Sequence, residues 1–292
     1  MSRVISTRLS TYRDRLVRAA GHAFVVCAFV VLAQVAHAAS PLEAFKGMSG
    51  NLDIAGGTAH IPVMKEAAKR IMTQNAAIRI SVAGGGSGVG VQQVGEGLVA
   101  IGNTGRALSE AEVAKYGLVS FPFAIDGVAV VVNPANPVGA LTAAQVRDIY
   151  AGKVTNWKAL GGADRAITLY TRDEASGTRE VFDGKLLAKG TVAASANVVP
   201  SNGAMKTAVA QDAGAIGYVG IGHIDTSVKA PVLDGMVATQ ENAANGSYTV
   251  TRKLYMNTKG QPTGLVRAFI DYLFTDEGAD IIRASGYTPT GR

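Results

Sequence analysis

Residues 170–182 read YTRDEASGTREVF, and this stretch decides the fold. The apolar run before it, Ile167 to Tyr170, predicts a short strand that ends in a turn. Apolar residues at helical spacing after it, from Val181 to Leu187, predict a helix. The Ser176-Gly177-Thr178 turn would therefore lie at a helix N-terminus, directly beyond the end of a strand.

This turn has the chemistry of an oxyanion cradle. A helix N-terminus leaves backbone N–H groups unpaired and carries partial positive charge. Gly177 lets the backbone approach a ligand closely, and the hydroxyls of Ser176 and Thr178 are short, rotatable donors. Arg172 stands just before them with a planar fork that suits two oxygens of one anion. The same stretch also fits an ordinary capped helix beside a surface arginine, and alone it does not decide between the two.

A similar order of elements occurs near the start of the chain. Leu52 to Ala55 is a short apolar run, and Gly56-Gly57-Thr58-Ala59 follows it. Ile61 to Gln74 then has a helical apolar stripe, with Pro62 in its first turn. We therefore predict a strand, a Gly-Gly-Thr turn and a helix, which is a second candidate cradle.

A third copy comes directly afterwards. The β-branched run Ile78 to Ala83 leads into GGGSGVG at residues 84–90, which contains Ser87, and Val91 to Gly97 is predicted to be helical. Val89 breaks the dinucleotide-binding glycine pattern, and no Lys-Ser/Thr pair follows as in a phosphate-binding P-loop. The glycines also fit a merely flexible turn. Leu98 to Ile101 is predicted as the next strand.

Strands and helices alternate through most of the remaining sequence, which favours a parallel α/β architecture. Val119 to Phe123 and Val128 to Asn133 are apolar, with Asp126 and Gly127 between them. A strand that continues through a small polar break is typical of a crossover between two lobes. Trp157 is expected to pack in a core rather than to bind a ligand.

The N-terminus has the features of a secretory signal peptide. Five arginines precede an apolar stretch from Ala19 to Ala33, and Ala36-His37-Ala38 follows. We predict a signal peptide over residues 1–38; a permanent N-terminal anchor is the alternative, although the apolar part is short for a membrane span. The only cysteine, Cys27, lies in this segment, so the remaining chain would need a core rather than disulfides.

The composition argues against several classes of function. The net charge is +6, but much of it comes from the arginines of the predicted leader, and no basic cluster interleaved with aromatic residues suggests nucleic-acid binding. His60 and His223 have no acidic partners at metal-ligand spacing, so we expect both to be structural or surface residues. Ser176 lacks the G-x-S-x-G context of a nucleophile. We expect no enzyme activity, no catalytic residue, no metal and no cofactor.

The motifs together resemble the periplasmic phosphate-binding proteins of ABC-type phosphate importers. The likeness runs from Leu52 to Pro289, and the Arg-x-x-x-Ser-Gly-Thr element at Arg172 is its most specific part. The resemblance implies the type II periplasmic-binding-protein fold: an α/β protein of two lobes, each a mainly parallel sheet flanked by helices, joined by two hinge crossings. We predict residues 39–124 and 220–292 as lobe 1 and residues 125–219 as lobe 2.

The resemblance also implies a function and a set of ligand residues. The chain would be a periplasmic monomer that binds inorganic phosphate between its lobes and delivers it to ABC transporter membrane subunits. Other possibilities are another tetrahedral oxyanion, a secreted scavenger or sensor of phosphate, and, from a different class, a phosphate-ester hydrolase. The expected ligand residues are Thr58, Ala59, Ser87, Thr104, Asp126, Arg172, Ser176, Gly177 and Thr178.

The sequence departs from the family in one respect that concerns selectivity. Family members often have carboxylates in the strand after the second glycine turn, and one of these accepts the proton of phosphate. This chain has Ala100 and Gly105 there and no acid from Val99 to Arg106. Our hypothesis is that Asp126 accepts the proton instead; an aspartate that only caps hinge backbone is the alternative.

Overall fold

The computed structural model describes residues 40–291; the predicted signal peptide therefore lies outside the described residues. The described part contains eleven strands: β1 Gly50–Gly56, β2 Ile78–Gly85, β3 Ile101–Thr104, β4 Leu118–Val132, β5 Ala140–Leu141, β6 Thr168–Arg172, β7 Asn197–Val199, β8 Ala215–Gly220, β9 Val232–Leu233, β10 Thr251–Lys259 and β11 Thr288–Pro289. Its nine α-helices are α1 Ile61–Gln74, α2 Ser87–Gly95, α3 Glu110–Tyr116, α4 Ala143–Tyr150, α5 Gly177–Lys185, α6 Asn202–Gln211, α7 Gln240–Ala244, α8 Gly264–Leu273 and α9 Asp276–Ala284.

Nine strands form one continuous sheet in the order β2-β1-β3-β10-β4-β8-β6-β7, with β11 paired to β4. The outer pairs are parallel on both sides: β1 with β2 and β3, and β6 with β7 and β8. The central strands β10 and β4 run antiparallel to their neighbours. The α/β class predicted from the sequence is confirmed, with an antiparallel centre joining two parallel regions.

Strand β4 belongs to both halves of this sheet. It is 15 residues long, and residues 118–127 pair with β10 whereas residues 128–132 pair with β8. The backbone continues through Asp126 and Gly127 as one strand, as the sequence suggested. The interpretation of this segment as a crossover between two lobes agrees with that pairing.

Two large hydrophobic cores flank the shared strand, one per lobe. The core of lobe 1 combines residues from 45–124 and 254–287, including Phe45, Ile101 and Phe269. The core of lobe 2 lies entirely within residues 128–250 and includes Trp157, which is buried as expected and donates its indole N–H to the Gly214 carbonyl oxygen at 2.9 Å. The lobe limits stay a prediction; the packing of residues 221–250 into the core of lobe 2 favours a return crossing near β10 rather than at residue 220.

Two predicted elements near the glycine turns were placed wrongly. Helix α2 begins at Ser87, four residues before the expected start, because Gly86 at φ 90° completes the turn and lets the helix follow at once. The third strand is residues 101–104, not 98–101. Leu98 is exposed. Pairing with β1, in which Ile54 lies opposite Ile101, places the strand at residues 101–104, which are more polar than residues 98–101. No helix in residues 40–291 is long and apolar enough to cross a membrane.

Candidate functional site

A small cavity of about 10 Å³ lies where helix starts from both lobes meet. The turn Thr58–His60 that leads into α1, the start of α2 at Ser87, and the start of α5 at Gly177 all face it. First-turn N–H groups have no intrahelical acceptor, so these starts present donors and partial positive charge to one point. Its size suits a small anion better than the drug-sized ligands of larger pockets.

The turn at Thr58 and the turn at Ser87 approach each other closely, and this requires a glycine at position 56. Its φ is 121°, and a Cβ there would overlap the Asn103 carbonyl oxygen and lie 2.8 Å from the Gly90 Cα. Any side chain would push β1 away from β3 and α2. The glycine therefore fixes where the Thr58 turn stands relative to the Ser87 turn.

Arg172 is a buried cation aimed at the cavity from the end of β6. Its Nε donates to the Val199 carbonyl oxygen and its Nη2 to the Pro200 carbonyl oxygen, both at 3.0 Å. Its Nη1 has no hydrogen-bond partner among the described residues, and the side chain is 1% exposed. Burial lowers the pKa of Arg172, and the charge of Asp173 opposes that shift. An anion that accepts from Nη1 would relieve both the desolvation and the missing hydrogen bond.

A second arginine, Arg252 on β10, also lines the cavity. Its Nε and Nη2 donate to one carboxylate oxygen of Asp126 at 3.0 and 2.7 Å, and its Nη1 donates to the Thr178 hydroxyl at 2.8 Å. Asp126 lies opposite Arg252 in the β4–β10 register and is fully buried. Burial raises the pKa of Asp126, and the adjoining guanidinium opposes the rise. The pair thus holds Arg252 between β4 and helix α5.

The hydroxyl groups of the cavity accept hydrogen bonds from neighbouring protein donors. The Ser87 Oγ accepts from the Gly105 N–H at 2.9 Å, and the Ser176 Oγ, as N-cap of α5, accepts from the Arg179 N–H at 3.2 Å. The Thr58 Oγ1 accepts from the backbone N–H of Asn202 at 3.3 Å and from its Nδ2 at 3.1 Å. These bonds fix the positions of the hydroxyl oxygens. Each hydroxyl hydrogen remains available to another acceptor.

Several direct contacts join the two lobes around the cavity. The Gly88 N–H donates to the Ala175 carbonyl oxygen at 3.0 Å, and the Thr58–Asn202 bonds cross in the same way. At the rim, Arg106 pairs with Glu112 of its own lobe at 2.7 Å and with Glu180 of the other lobe at 2.7 Å. The hydrogen bonds from Arg106 lower the pKa of Glu112 to about 2. The structure is therefore a closed form.

The rim ion pair gives the first testable prediction. Glu180→Gln should weaken anion binding only about 1.4- to 5-fold, because an exposed ion pair contributes about 0.2–1 kcal/mol. Titration calorimetry measures the change. Glu174→Gln is the matched control, since Glu174 is an exposed acid of the same turn. Equal affinities for the two variants would contradict a role for the interlobe pair.

Seven of the nine predicted ligand residues line the cavity: Thr58, Ala59, Ser87, Arg172, Ser176, Gly177 and Thr178. The other two are buried next to it. The Thr104 hydroxyl donates to the Arg106 carbonyl oxygen at 2.8 Å and accepts from the Asn257 side chain at 3.0 Å. Asp126 does not line the cavity itself. Its carboxylate binds Arg252, which does, and this supports a positioning role for Asp126.

Sequence reasoning missed five of the lining residues: Gly57, His60, Gly86, Gly105 and Arg252. Arg252 had no motif around it; the available signal was Asp126, a charge inside an apolar strand that needed a buried partner. His60 was expected to be structural or on the surface. It is fully buried, its ring lies 5.6 Å from that of Phe123, and burial lowers its pKa to about 3, so it is neutral at neutral pH.

The buried pair gives the second prediction. Asp126→Asn leaves Arg252 buried without its counterion, so we expect the free energy of unfolding to fall by about 3–5 kcal/mol. Denaturant unfolding of the ligand-free protein measures it. Asp53→Asn, at an exposed position of β1, should change stability by less than about 0.5 kcal/mol. A loss for Asp126→Asn no larger than that of Asp53→Asn would mean that the charges of the pair are not coupled.

Comparison with known proteins places this chain in a family. Residues 43–277 match the family model described as a PBP superfamily domain. The phosphate-binding protein PstS of Bacillus subtilis is 37% identical over 249 residues, which cover 82% of this chain and 81% of that protein. This chain belongs to the PstS family. No group of His, Cys, Asp and Glu residues in the described part could hold a metal ion.

Two solved structures agree with the fold. A putative phosphate ABC transporter substrate-binding protein from Clostridium perfringens, with bound phosphate, aligns with a TM-score of 0.78 and 33% identity, covering 82% of this chain and all of that one. An ABC-type phosphate transport receptor from Vibrio cholerae aligns with a TM-score of 0.66 and 35% identity, covering 81% and 99%. The two-lobe binding-protein fold expected from the sequence is confirmed.

Proposed function

We propose that this chain binds inorganic phosphate in the cavity between its lobes, outside the cytoplasm, and delivers it to the membrane subunits of an ABC importer. The observation that supports this most is the unpartnered Nη1 of buried Arg172, which faces a cavity lined by three helix starts. A buried cation without an acceptor is costly, and an oxyanion removes that cost. The names of the PstS relatives and the phosphate bound in the Clostridium perfringens structure point to phosphate as that anion.

The closed geometry supports a binding protein rather than a hydrolase. The lobes contact each other directly on both sides of the cavity, through the Gly88–Ala175 and Arg106–Glu180 contacts, so there is little space for the organic part of an ester. An inorganic anion would be enclosed completely on closure. We propose that the open and closed forms interconvert about β4 and β10, the long strands at the centre of the sheet.

Calorimetry of the chain from residue 39 onward, freed of bound anion by dialysis, tests the binding. We expect a one-to-one complex with a dissociation constant of about 1 μM or lower, since several charge-assisted hydrogen bonds form in a dry cavity. Absence of binding at about 1 mM phosphate would overturn the proposal. The same sample in sedimentation tests the proposed monomer.

Delivery to an importer needs a separate experiment in cells. A strain that lacks the chromosomal gene should take up labelled phosphate slowly under phosphate limitation, and the full-length chain should restore uptake. Arg172→Ala is the matched control because it alters the proposed binding site alone. Restoration of phosphate binding without restoration of uptake would favour the scavenger or sensor alternative. Fractionation of these cells tests the proposed periplasmic location.

A further inference from the structure

The four hydroxyl groups of the cavity all have a hydrogen to donate. The oxygens of Thr58, Ser87, Ser176 and Thr178 each accept at least one hydrogen bond from a protein N–H. None of them donates to another residue in the described part of the chain. A hydroxyl carries one hydrogen, and here that hydrogen is available only to a group inside the cavity. The hydroxyls therefore act in the same sense as the arginines and the helix starts.

The space beside Gly105 is filled by a guanidinium. A Cβ at Gly105 would lie 2.7 Å from Nη1 of Arg252, so any side chain there would displace the arginine. The resemblance leads one to expect an acid in this strand, which would offer an acceptor to the ligand. Arg252 offers donors instead, and its own counterion Asp126 lies outside the cavity lining.

The remaining polar side chain of the cavity is the His60 imidazole. Its ring packs against the lobe 1 core beside Phe123, and a Cβ at Gly57 would lie 2.6 Å from its Nδ1. Neither ring nitrogen has a hydrogen-bond partner among the described residues, and the ring is neutral and carries no charge that would repel sulfate. None of the described residues that line the cavity is Asp or Glu.

We infer that this cavity, which has no carboxylate among its described lining residues, binds the sulfate dianion as well as the hydrogen phosphate dianion. The inference rests on the proposed function and refines its ligand. A carboxylate acceptor excludes sulfate by repulsion, because sulfate has no proton to offer it, and this cavity contains no such repulsive group. Hydrogen phosphate, in contrast, can place its hydroxyl hydrogen only on a neutral acceptor, such as the second lone pair of the Ser87 or Ser176 oxygen. Arg252, in the space beside Gly105, is the residue that determines this specificity.

Competition calorimetry on the wild-type chain, in a buffer free of both anions at pH 8, is the direct test. We expect the sulfate dissociation constant to lie within about 30-fold of that of phosphate, equivalent to a difference of about 2 kcal/mol. Sulfate affinity should stay constant between pH 6 and 8. Phosphate affinity should rise over this range as the dianion becomes its main form. Rejection of sulfate by more than about 1,000-fold would overturn the inference.

A pair of double variants tests the role of Arg252. Arg252→Ala with Gly105→Asp restores an acid beside the cavity, and Arg252→Ala with Gly105→Ala is its matched control without the acid. We expect the acid-bearing variant to prefer phosphate over sulfate at least about 10-fold more strongly than the control does. Equal preference in the two variants would count against Gly105 and Arg252 as the specificity determinants. The wild-type competition decides the inference even if neither variant folds.

The outcomes separate this inference from the proposed function. Binding of phosphate with rejection of sulfate leaves the proposed function in place and overturns the inference. Binding of sulfate without phosphate supports a cavity without a carboxylate acceptor and overturns phosphate as the ligand. Absence of binding of either anion overturns both.

Discussion

Arg172→Ala should weaken phosphate binding by about 30- to several-thousand-fold, the equivalent of about 2–5 kcal/mol for a charge-assisted pair in a closed cleft. Its Nη1 is the unpartnered donor that faces the cavity, and two backbone carbonyl oxygens hold the other nitrogens in place. The loss therefore removes a preorganised donor together with its charge. Titration calorimetry with phosphate measures the change in affinity.

Arg172→Lys separates the charge from the geometry. Lysine keeps the positive charge but cannot hold both carbonyl oxygens and the ligand at fixed angles, so we expect only part of the affinity to return. Arg165→Ala, at an exposed position of lobe 2, is the matched control for loss of an arginine and should bind as the wild type does. Phosphate binding by Arg172→Ala within about threefold of the wild type would remove Arg172 from the site.

Gly177→Ala should abolish tight binding by preventing closure, with a loss of at least about 100-fold. A Cβ at Gly177 would overlap the Ser87 Oγ across the cleft. Either the lobes stay apart, or Ser87 turns away and gives up its bond to Gly105. Both results remove donors from the ligand. The single methyl group therefore acts through lobe separation rather than through a lost contact.

Gly184→Ala is the matched control for this variant because it lies on the same helix, and a Cβ there meets no atom within 4 Å. It should bind as the wild type does and gain about 0.5–1 kcal/mol of stability. Small-angle scattering at saturating phosphate completes the test: the wild type should become more compact, and Gly177→Ala should not. Compaction and wild-type affinity in Gly177→Ala would show that the cleft has room for the methyl group.

The sequence was sufficient to predict the α/β class and the turns at Thr58, Ser87 and Ser176, because each turn combines a local strand end, a glycine and a helix start. Local patterns carry this information without reference to the rest of the chain. The first and last residues of β3 could not be predicted from the local sequence. Leu98 is apolar but exposed, and the strand position is set by pairing with β1 and β10, which are distant in sequence.

Arg252 could not be found from any local pattern. Its role depends on the β4–β10 register, which sets it opposite Asp126 and beside Gly105. Such a register is a property of long-range pairing. For the same reason, the sequence led us to expect that Asp126 accepts the proton of the ligand. In the structure its carboxylate instead accepts hydrogen bonds from Arg252, which lines the cavity.

The two cores also differ in how their residues are distributed along the chain, and this has a consequence for biosynthesis. The core of lobe 2 is drawn from one contiguous segment, residues 128–250, whereas the core of lobe 1 needs residues 45–124 together with 254–287. Contacts between distant segments form late and slow the assembly of a fold. An emerging polypeptide can therefore complete its second core while its first half still exposes the apolar faces of α1 and β1. Such a nascent chain remains dependent on protection from aggregation until α8 and α9 have been synthesised.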